Sequence, residues 1–398
     1  MAVIATQPMA QWRLGLVTTR ALVVGVVGFV LCAIGVVFEP RQAFASYLFA
    51  YVAVLTIVVG ALMMVMISHV TAARWFTVLR RLTLLITAAL PTLAVLVLPI
   101  ILGVHRIYPW AGASVLPPGV TRRAAWLNVP FFSVRAVIYV LVFAICGEML
   151  RRWALMEDEI PVGVSQVDVV RRQRRLSAFG VIIVGFAITL VAFDWLMPLD
   201  PRWFSTVYGV YVFSGGFVAA LGLVALLAYI SISRGGALAG TVNAEHFGAL
   251  GKLMLTFVIF WVYIAFSQFL VIWIGDIPAD ASWYVVRGAG SWRVLALCVL
   301  VGQFAIPFVL LLSRPLKRRP AALAAIGALI LAMHVVDVFW LVTPAFHPTG
   351  FHVSWLDLAA LLMVGGLATA AAAWRGDAHA SIPVNDPYLA QSVQYAEP

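Results

Sequence analysis

An all-α transmembrane fold is what this chain predicts, and three observations predict it. Of its 398 residues, 64% are hydrophobic and only 11% are charged. A mean hydropathy of +1.03 leaves too little polar surface to cover a water-soluble globule. Apolar runs of about 20 residues, the length that crosses roughly 30 Å of hydrocarbon, recur about ten times. The expected architecture is two helical bundles joined by a hinge at the centre of the chain.

The expected spans run over residues 21–38, 45–68, 82–104, 130–150, 176–197, 203–230, 248–274, 294–313, 321–343 and 353–374. They divide the chain into an N-terminal segment 1–20, a transmembrane domain 21–374 with halves 21–197 and 203–374, and a tail 375–398. The first span follows the pattern of a retained helix. Ala43-Phe44-Ala45 has the small-x-small form of a cleavage site, but the run to Phe38 is longer than a signal-peptide core and Glu39-Pro40-Arg41 interrupts the approach. The hinge, Phe193-Asp194-Trp195-Leu196-Met197-Pro198-Leu199-Asp200-Pro201-Arg202-Trp203, places two carboxylates, two prolines and two tryptophans between spans five and six.

Threading the spans alternately collects arginine and lysine on one side. Arg13, Arg20, Arg74, Arg80, Arg81, Arg151, Arg152, Arg171, Arg172, Arg174, Arg175, Arg314, Lys317, Arg318 and Arg319 fall there. By the positive-inside rule that side is cytoplasmic, so both termini are expected inside and the hinge outside. This distribution also accounts for the net charge of +10 as a topology signal, which argues against nucleic-acid binding. Cys32, Cys146 and Cys298 each lie alone in apolar runs, with no disulfide framework or cysteine metal motif. The connecting segments are too short for a soluble catalytic domain, and the tryptophans near the outer span ends are expected to form an interfacial belt.

Ionisable groups within the hydrocarbon cost energy and so mark candidate sites. His334 and Asp337 in span nine are three residues apart, on one helix face, where a histidine and a carboxylate can pass a proton. Hydrogen bonding as polar glue between helices explains the same pair equally well. Asp194 in span five and Asp357 in span ten lie toward the outer side with Arg135 in span four; an ion pair with Arg135 is the simpler reading of such a carboxylate. On span seven, Glu245, His246 and Lys252 stand at the mouth of a possible path past Tyr263, Ser267 and Gln268, against the simpler reading that end-of-helix charges snorkel to the headgroups. Glu148, with Arg151 and Arg152 three and four residues on, reads as a local helix pair. The histidines do not share one depth on facing spans, as a membrane-embedded haem with two histidine ligands requires.

Several stretches together resemble one family. They are the hinge continued through Val207-Tyr208-Gly209-Val210-Tyr211, His69 to Trp75 ahead of Arg80-Arg81, Leu127 to Phe132, Phe260 to Pro278 with its Phe266-Ser267-Gln268-Phe269 core, Pro307 to Arg314, and Met333 to Asp337. The chain is similar over most of its length to the F-type polytopic membrane subunit of bacterial alternative complex III, a quinol:cytochrome c oxidoreductase. The resemblance implies a multi-pass protein of the bacterial cytoplasmic (inner) membrane with no cofactor of its own and no catalysis alone. Haem c and iron–sulfur clusters are then expected on partner c-type cytochrome and iron–sulfur subunits, and quinol on a sister polytopic subunit, with a terminal oxidase as a further associate. It implies a proton half-path at His334, Asp337, Lys252, Ser267 and Gln268, and Gln303 stands where relatives carry histidine. Two alternatives stay open: a secondary transporter with its site between the halves, and a subunit that itself binds quinol at the outer surface.

Overall fold

The computed structural model describes residues 11–112, 123–159 and 167–396; of the segment 1–20, the first ten residues lie outside the described residues. The described residues contain ten helices long and apolar enough to span a membrane. These are α1 (Gly15–Phe38), α2 (Pro40–Val70), α3 (Arg74–Leu102), α4 (Val129–Glu159), α5 (Val167–Leu199), α6 (Tyr208–Ser233), α7 (Ala244–Gly275), α8 (Gly290–Leu312), α9 (Pro320–Ala345) and α10 (Trp355–Gly376). Each overlaps the apolar run expected for it over most of its length. The main differences are extensions at α2, α3, α4 and α5, where polar residues beyond the apolar window continue the helix, and a later start for α6, because the chain from Trp203 to Val207 is not helical.

In each half the first and last helices of a set of four pack together and close the set. Thus α2 packs on both α3 and α5 while α4 packs on α3 and α5; likewise α6 packs on α7 and α9 while α8 packs on α7 and α9. The remaining helices, α1 and α10, lie along each other and reach the four-helix sets through α2 and, for α10, also through α3. The two sets meet along α2 and α6, and glycine permits the close approach. A Cβ on Gly60 of α2 would lie 2.7 Å from the Gly216 carbonyl oxygen of α6. The α6–α9 seam is built similarly, since a Cβ on Gly222 would lie 2.6 Å from the Gly327 carbonyl oxygen. Small residues at such seams let dispersion contacts and polar side chains hold helices together where lipid provides no hydrophobic drive. With all neighbours on it, α2 is the central helix; 94% of its most apolar window is buried.

The start of α1 and the end of α10 lie at one end of the helices, the terminal end, where Trp12 bonds Ala378 and His379, and the α5–α6 hinge lies at the other. The expected belt of interfacial tryptophans is realised only in part. Trp126 and Trp355 are exposed, but Trp110, Trp195, Trp203, Trp283 and Trp292 are buried and pack on other aromatic rings, as in the Trp203–Trp283 stack at 4.7 Å and the Trp292–Phe351 contact. The hinge end is thus an aromatic core.

A polar, proline-punctuated tail is expected to order only on a partner, yet it folds back on its own chain. Ala378 and His379 exchange backbone hydrogen bonds with Trp12. Asp386 reaches Arg80 of α3 at 2.5 Å, and Asn385 donates to the Asp158 carbonyl of α4 at 3.1 Å. The Ser392 hydroxyl donates to the Trp75 carbonyl, and the Ser392 carbonyl lies 3.0 Å from His246 Nε2 of α7. Helix ends leave backbone and charged groups unsatisfied, and the tail supplies their partners.

Candidate functional site

Asp337 and His334 are 2% and 1% exposed, although nothing in their own helix would pair them. The rise of 1.5 Å per residue puts them about 12 and 16 Å in from Ala345 at the hinge end. Their common face meets α6 and α2. Tyr211 of α6 donates its hydroxyl to Asp337 Oδ1 at 2.5 Å, and Trp261 of α7 packs on the Tyr211 ring at 5.6 Å between centroids. His334 Nε2 lies 2.8 Å from Thr56 Oγ1 of α2. That hydroxyl directs its single hydrogen to the carbonyls of Val52 and Ala53, 2.8 and 3.1 Å away. Its oxygen is left to accept, which assigns the imidazole proton to Nε2 and leaves Nδ1 a bare acceptor. His334 Nδ1 has no hydrogen-bond partner among the described residues, and the Trp261 indole N–H lies in the same place, on the side of Asp337. Both converge on Gly215, where a Cβ would lie 3.2 Å from the first and 3.5 Å from the second.

A second set of polar groups connects this pair to the hinge end. Tyr208, one turn before Tyr211, stacks nearly parallel to it with centroids 6.3 Å apart, and its hydroxyl is buried without a partner. Arg287, in the short helix Pro278–Arg287, donates to the Leu341 carbonyl at 2.7 Å, one turn beyond Asp337, and lies over the Trp283 ring at 3.8 Å. It forms no ion pair among the described residues. Burial pulls its guanidinium down to about 10, a shift opposed by nearby Tyr208, Asp200 and Tyr284. Ser205 of the hinge donates to Gln268 Oε1 at 2.8 Å, and Gln268 Nε2 donates to the Tyr284 hydroxyl at 2.9 Å. Burial pushes that phenol up to about 12. Three hydrogen-bonded sets, Ser205–Gln268–Tyr284, Tyr211–Asp337 and His334–Thr56, with Arg287 and Tyr208 between the first and second, make up a column of polar side chains.

Of the residues singled out in the sequence, His334, Asp337 and Gln268 belong to this column. Lys252 and Tyr263 stand on the exposed face of α7, Tyr263 at 62%, and Ser267 is half-buried beside them. At the start of α7, Glu245 pairs with Arg318, and His246 closes a capping box with Asn243. Gln303 is fully buried in a wide π turn of α8, with neither amide atom partnered among the described residues; such turns often accompany functional sites. Glu148 pairs with Arg151 and Arg152 and also with Arg375 of α10.

Asp194 and Asp357 are placed apart from the column. Another π turn, Ala192–Leu196, carries Asp194 into α4. Its Oδ2 accepts from Arg135 Nε and from the Tyr139 hydroxyl, each at 2.7 Å, and its Oδ1 accepts from Trp126 Nε1 at 2.7 Å and Arg135 Nη2 at 3.0 Å. An open recess of about 390 Å³ lies beside this cluster, lined by Arg123, Trp126, Phe193 and Phe204. With four donors on its two oxygens, Asp194 presents no open acceptor to it. Asp357 caps its own helix through Ser354 N at 2.8 Å and accepts from the Ser46 hydroxyl of α2 at 2.5 Å. Nearby, Gln42 accepts from His347 Nε2 at 2.6 Å.

Tyr211, Thr56, Trp261, Tyr208 and Arg287 are missing from the sequence-based candidates. Tyr211 and Tyr208 belong to the aromatic start of α6, but only the fold turns them toward α9.

The fold and its buried polar column define a multi-pass helical membrane protein. Neither a scan against protein-family models nor a search of curated proteins finds a match. Among the described residues no group of three or more His, Cys, Asp or Glu side chains could hold a metal ion.

Proposed function

We propose that this chain is a membrane subunit of a quinol:cytochrome c oxidoreductase of the alternative complex III type, shaping the membrane arm and carrying protons through part of the bilayer. The observation that carries the proton role is the placing of Tyr211–Asp337 and His334–Thr56 on one face of α9, with Tyr208, Arg287 and the Gln268–Tyr284 pair between them and the hinge end. The resemblance in the hinge and the Phe260–Pro278 stretch carries the assignment to the complex. On this reading quinol is oxidised on a sister polytopic subunit, and electrons pass to iron–sulfur and c-type haem groups on partner subunits. The protein sits in the bacterial cytoplasmic membrane and has no redox centre of its own.

The chemistry needed from the column is modest. A carboxyl group buried beside a phenol holds a proton and exchanges it through the Tyr211 hydroxyl. The bare Nδ1 of His334 is the next base along α9, and the Thr56 oxygen, accepting from Nε2–H, holds the ring in that tautomer. Low dielectric surroundings keep the resting groups neutral or paired, so a proton enters only as one leaves.

Purification from native membranes in a mild detergent tests the assignment. Multihaem cytochrome c and iron–sulfur polypeptides should accompany the chain. Recovery of this chain alone, with solute uptake after its reconstitution into vesicles, would overturn the reading in favour of a transporter.

A further inference from the structure

At the hinge end, apart from the polar column, the loop between α9 and α10 carries two histidines, His347 and His352. Their rings lie against each other with centroids 4.7 Å apart and planes tilted by 36°. Contacts to α8 pin both ends of this stretch. Trp292 Nε1 donates to the His347 carbonyl at 2.9 Å, and Phe351 N donates to the Ser291 hydroxyl at 2.7 Å. The His347 ring is held as well, because its Nε2 lies 2.6 Å from Gln42 Oε1 of α2. Gln42 is itself oriented: its amide nitrogen donates to the Ser46 hydroxyl at 3.0 Å, and that hydroxyl donates to Asp357 Oδ1 at 2.5 Å. An amide oxygen only accepts, so the imidazole proton sits on Nε2 and Nδ1 keeps a bare lone pair. Burial, then the neighbouring His352, holds this imidazole below its usual value, with Asp357 opposing and Arg41 adding. The ring is therefore neutral at pH 7.

A neutral imidazole whose other nitrogen donates to a fixed oxygen is the prepared form of a metal ligand. Zinc binds imidazole nitrogen at about 2.0–2.1 Å, which puts each ring centre about 3.2 Å from the metal. Two such ligands at roughly 95° to each other have centroids about 4.7 Å apart, which is the separation of His347 and His352. His352 is exposed, so its ring can turn either nitrogen to the same ion. Asp357, behind Gln42 and Ser46, supplies negative charge that offsets nearby Arg41. No third His, Cys, Asp or Glu completes a ligand set among the described residues, which leaves the remaining positions to water. Imidazole ligands favour Cu²⁺ or Zn²⁺ over Mg²⁺ or Ca²⁺. We infer that His347 and His352 form a surface site for a divalent transition metal, Cu²⁺ or Zn²⁺, with Gln42 holding the first ligand in its binding tautomer.

The full-length chain, purified in detergent without a histidine tag, is titrated with Cu²⁺ or Zn²⁺ in excess Mg²⁺ by isothermal calorimetry. One equivalent of either metal should bind, Cu²⁺ more tightly. Pulsed electron paramagnetic resonance of the Cu²⁺ form should show two coordinated imidazoles in the parent and one in either His347→Gln or His352→Gln. Gln42→Leu keeps both ligands but releases the His347 tautomer, and should weaken binding about tenfold. His352 is exposed, so its variant keeps the fold, and unchanged helical circular dichroism is the control for all three. A parent spectrum with one imidazole or none, or equal affinity in the parent and His352→Gln, would overturn the inference. Unchanged affinity in Gln42→Leu would overturn the positioning role assigned to Gln42.

Discussion

Replacing Arg135 by Met should destabilise the hinge more than any surface change of similar size. Arg135 makes two charged hydrogen bonds to Asp194, at 2.7 and 3.0 Å, and a third bond to the Trp126 carbonyl at 3.1 Å. Its guanidinium also lies over the Trp126 and Phe131 rings at 4.1 and 4.2 Å. Methionine keeps much of the stem but leaves a carboxylate of zero exposure with only the neutral Tyr139 and Trp126 donors. Breaking one side of a buried pair costs about 3–5 kcal/mol. Removing the partner as well, in Arg135→Met with Asp194→Leu, eliminates the stranded charge, so the two losses should fail to add by about 2 kcal/mol or more. Reversible unfolding in mixed micelles, followed by circular dichroism across a dodecyl sulfate titration, measures each corner of the cycle. A loss under about 1 kcal/mol for Arg135→Met, or additive losses, would refute the claim that this pair anchors the hinge.

Three other predictions follow from separate parts of the fold. Gly222→Val should cost about 1–3 kcal/mol by overpacking the α6–α9 seam, measured as a lowered unfolding midpoint; an unchanged midpoint would mean the helices are not held this closely. Asp386→Ala should strand Arg80, which is paired within a buried site, and expose the tail to protease, whereas cutting at the parent rate would show that the tail is not held by this pair. Tail docking should also weaken in acid. Burial, with Arg151 and Arg81 nearby, holds the His379 imidazole below its usual value, so its contribution is complete above the unfolded value of about 6.5 and is lost as pH falls from there through the lower folded value. Trp12 fluorescence reports this, and a signal flat from neutral to mildly acidic pH would contradict it.

The spanning helices were legible because length and apolarity alone decide them, and the common face of His334 and Asp337 followed from their spacing. Their partners were not. Tyr211 is 126 residues from Asp337 and Thr56 is 278 residues from His334, and no local pattern encodes which helix faces which. The same limit affected tryptophan: a ring near a span end reads as interfacial, yet Trp203 and Trp283 found each other instead. The Arg135–Asp194 pair was within reach as an ion pair, but the π turn that aims Asp194 at α4, and the two further donors on its oxygens, arise from the folded hinge. The tail's polar composition suggested disorder because its acceptors and donors are satisfied by helix ends far away in sequence.

Proton release per electron tests the proposed role of the column most directly. In vesicles containing the intact complex, quinol-driven electron flow and external acidification are recorded together for the parent and for Asp337→Asn, which keeps side-chain size but cannot release a proton. The account predicts that Asp337→Asn lowers protons per electron while electron transfer and subunit composition persist. An unchanged ratio in the fully assembled variant would contradict it.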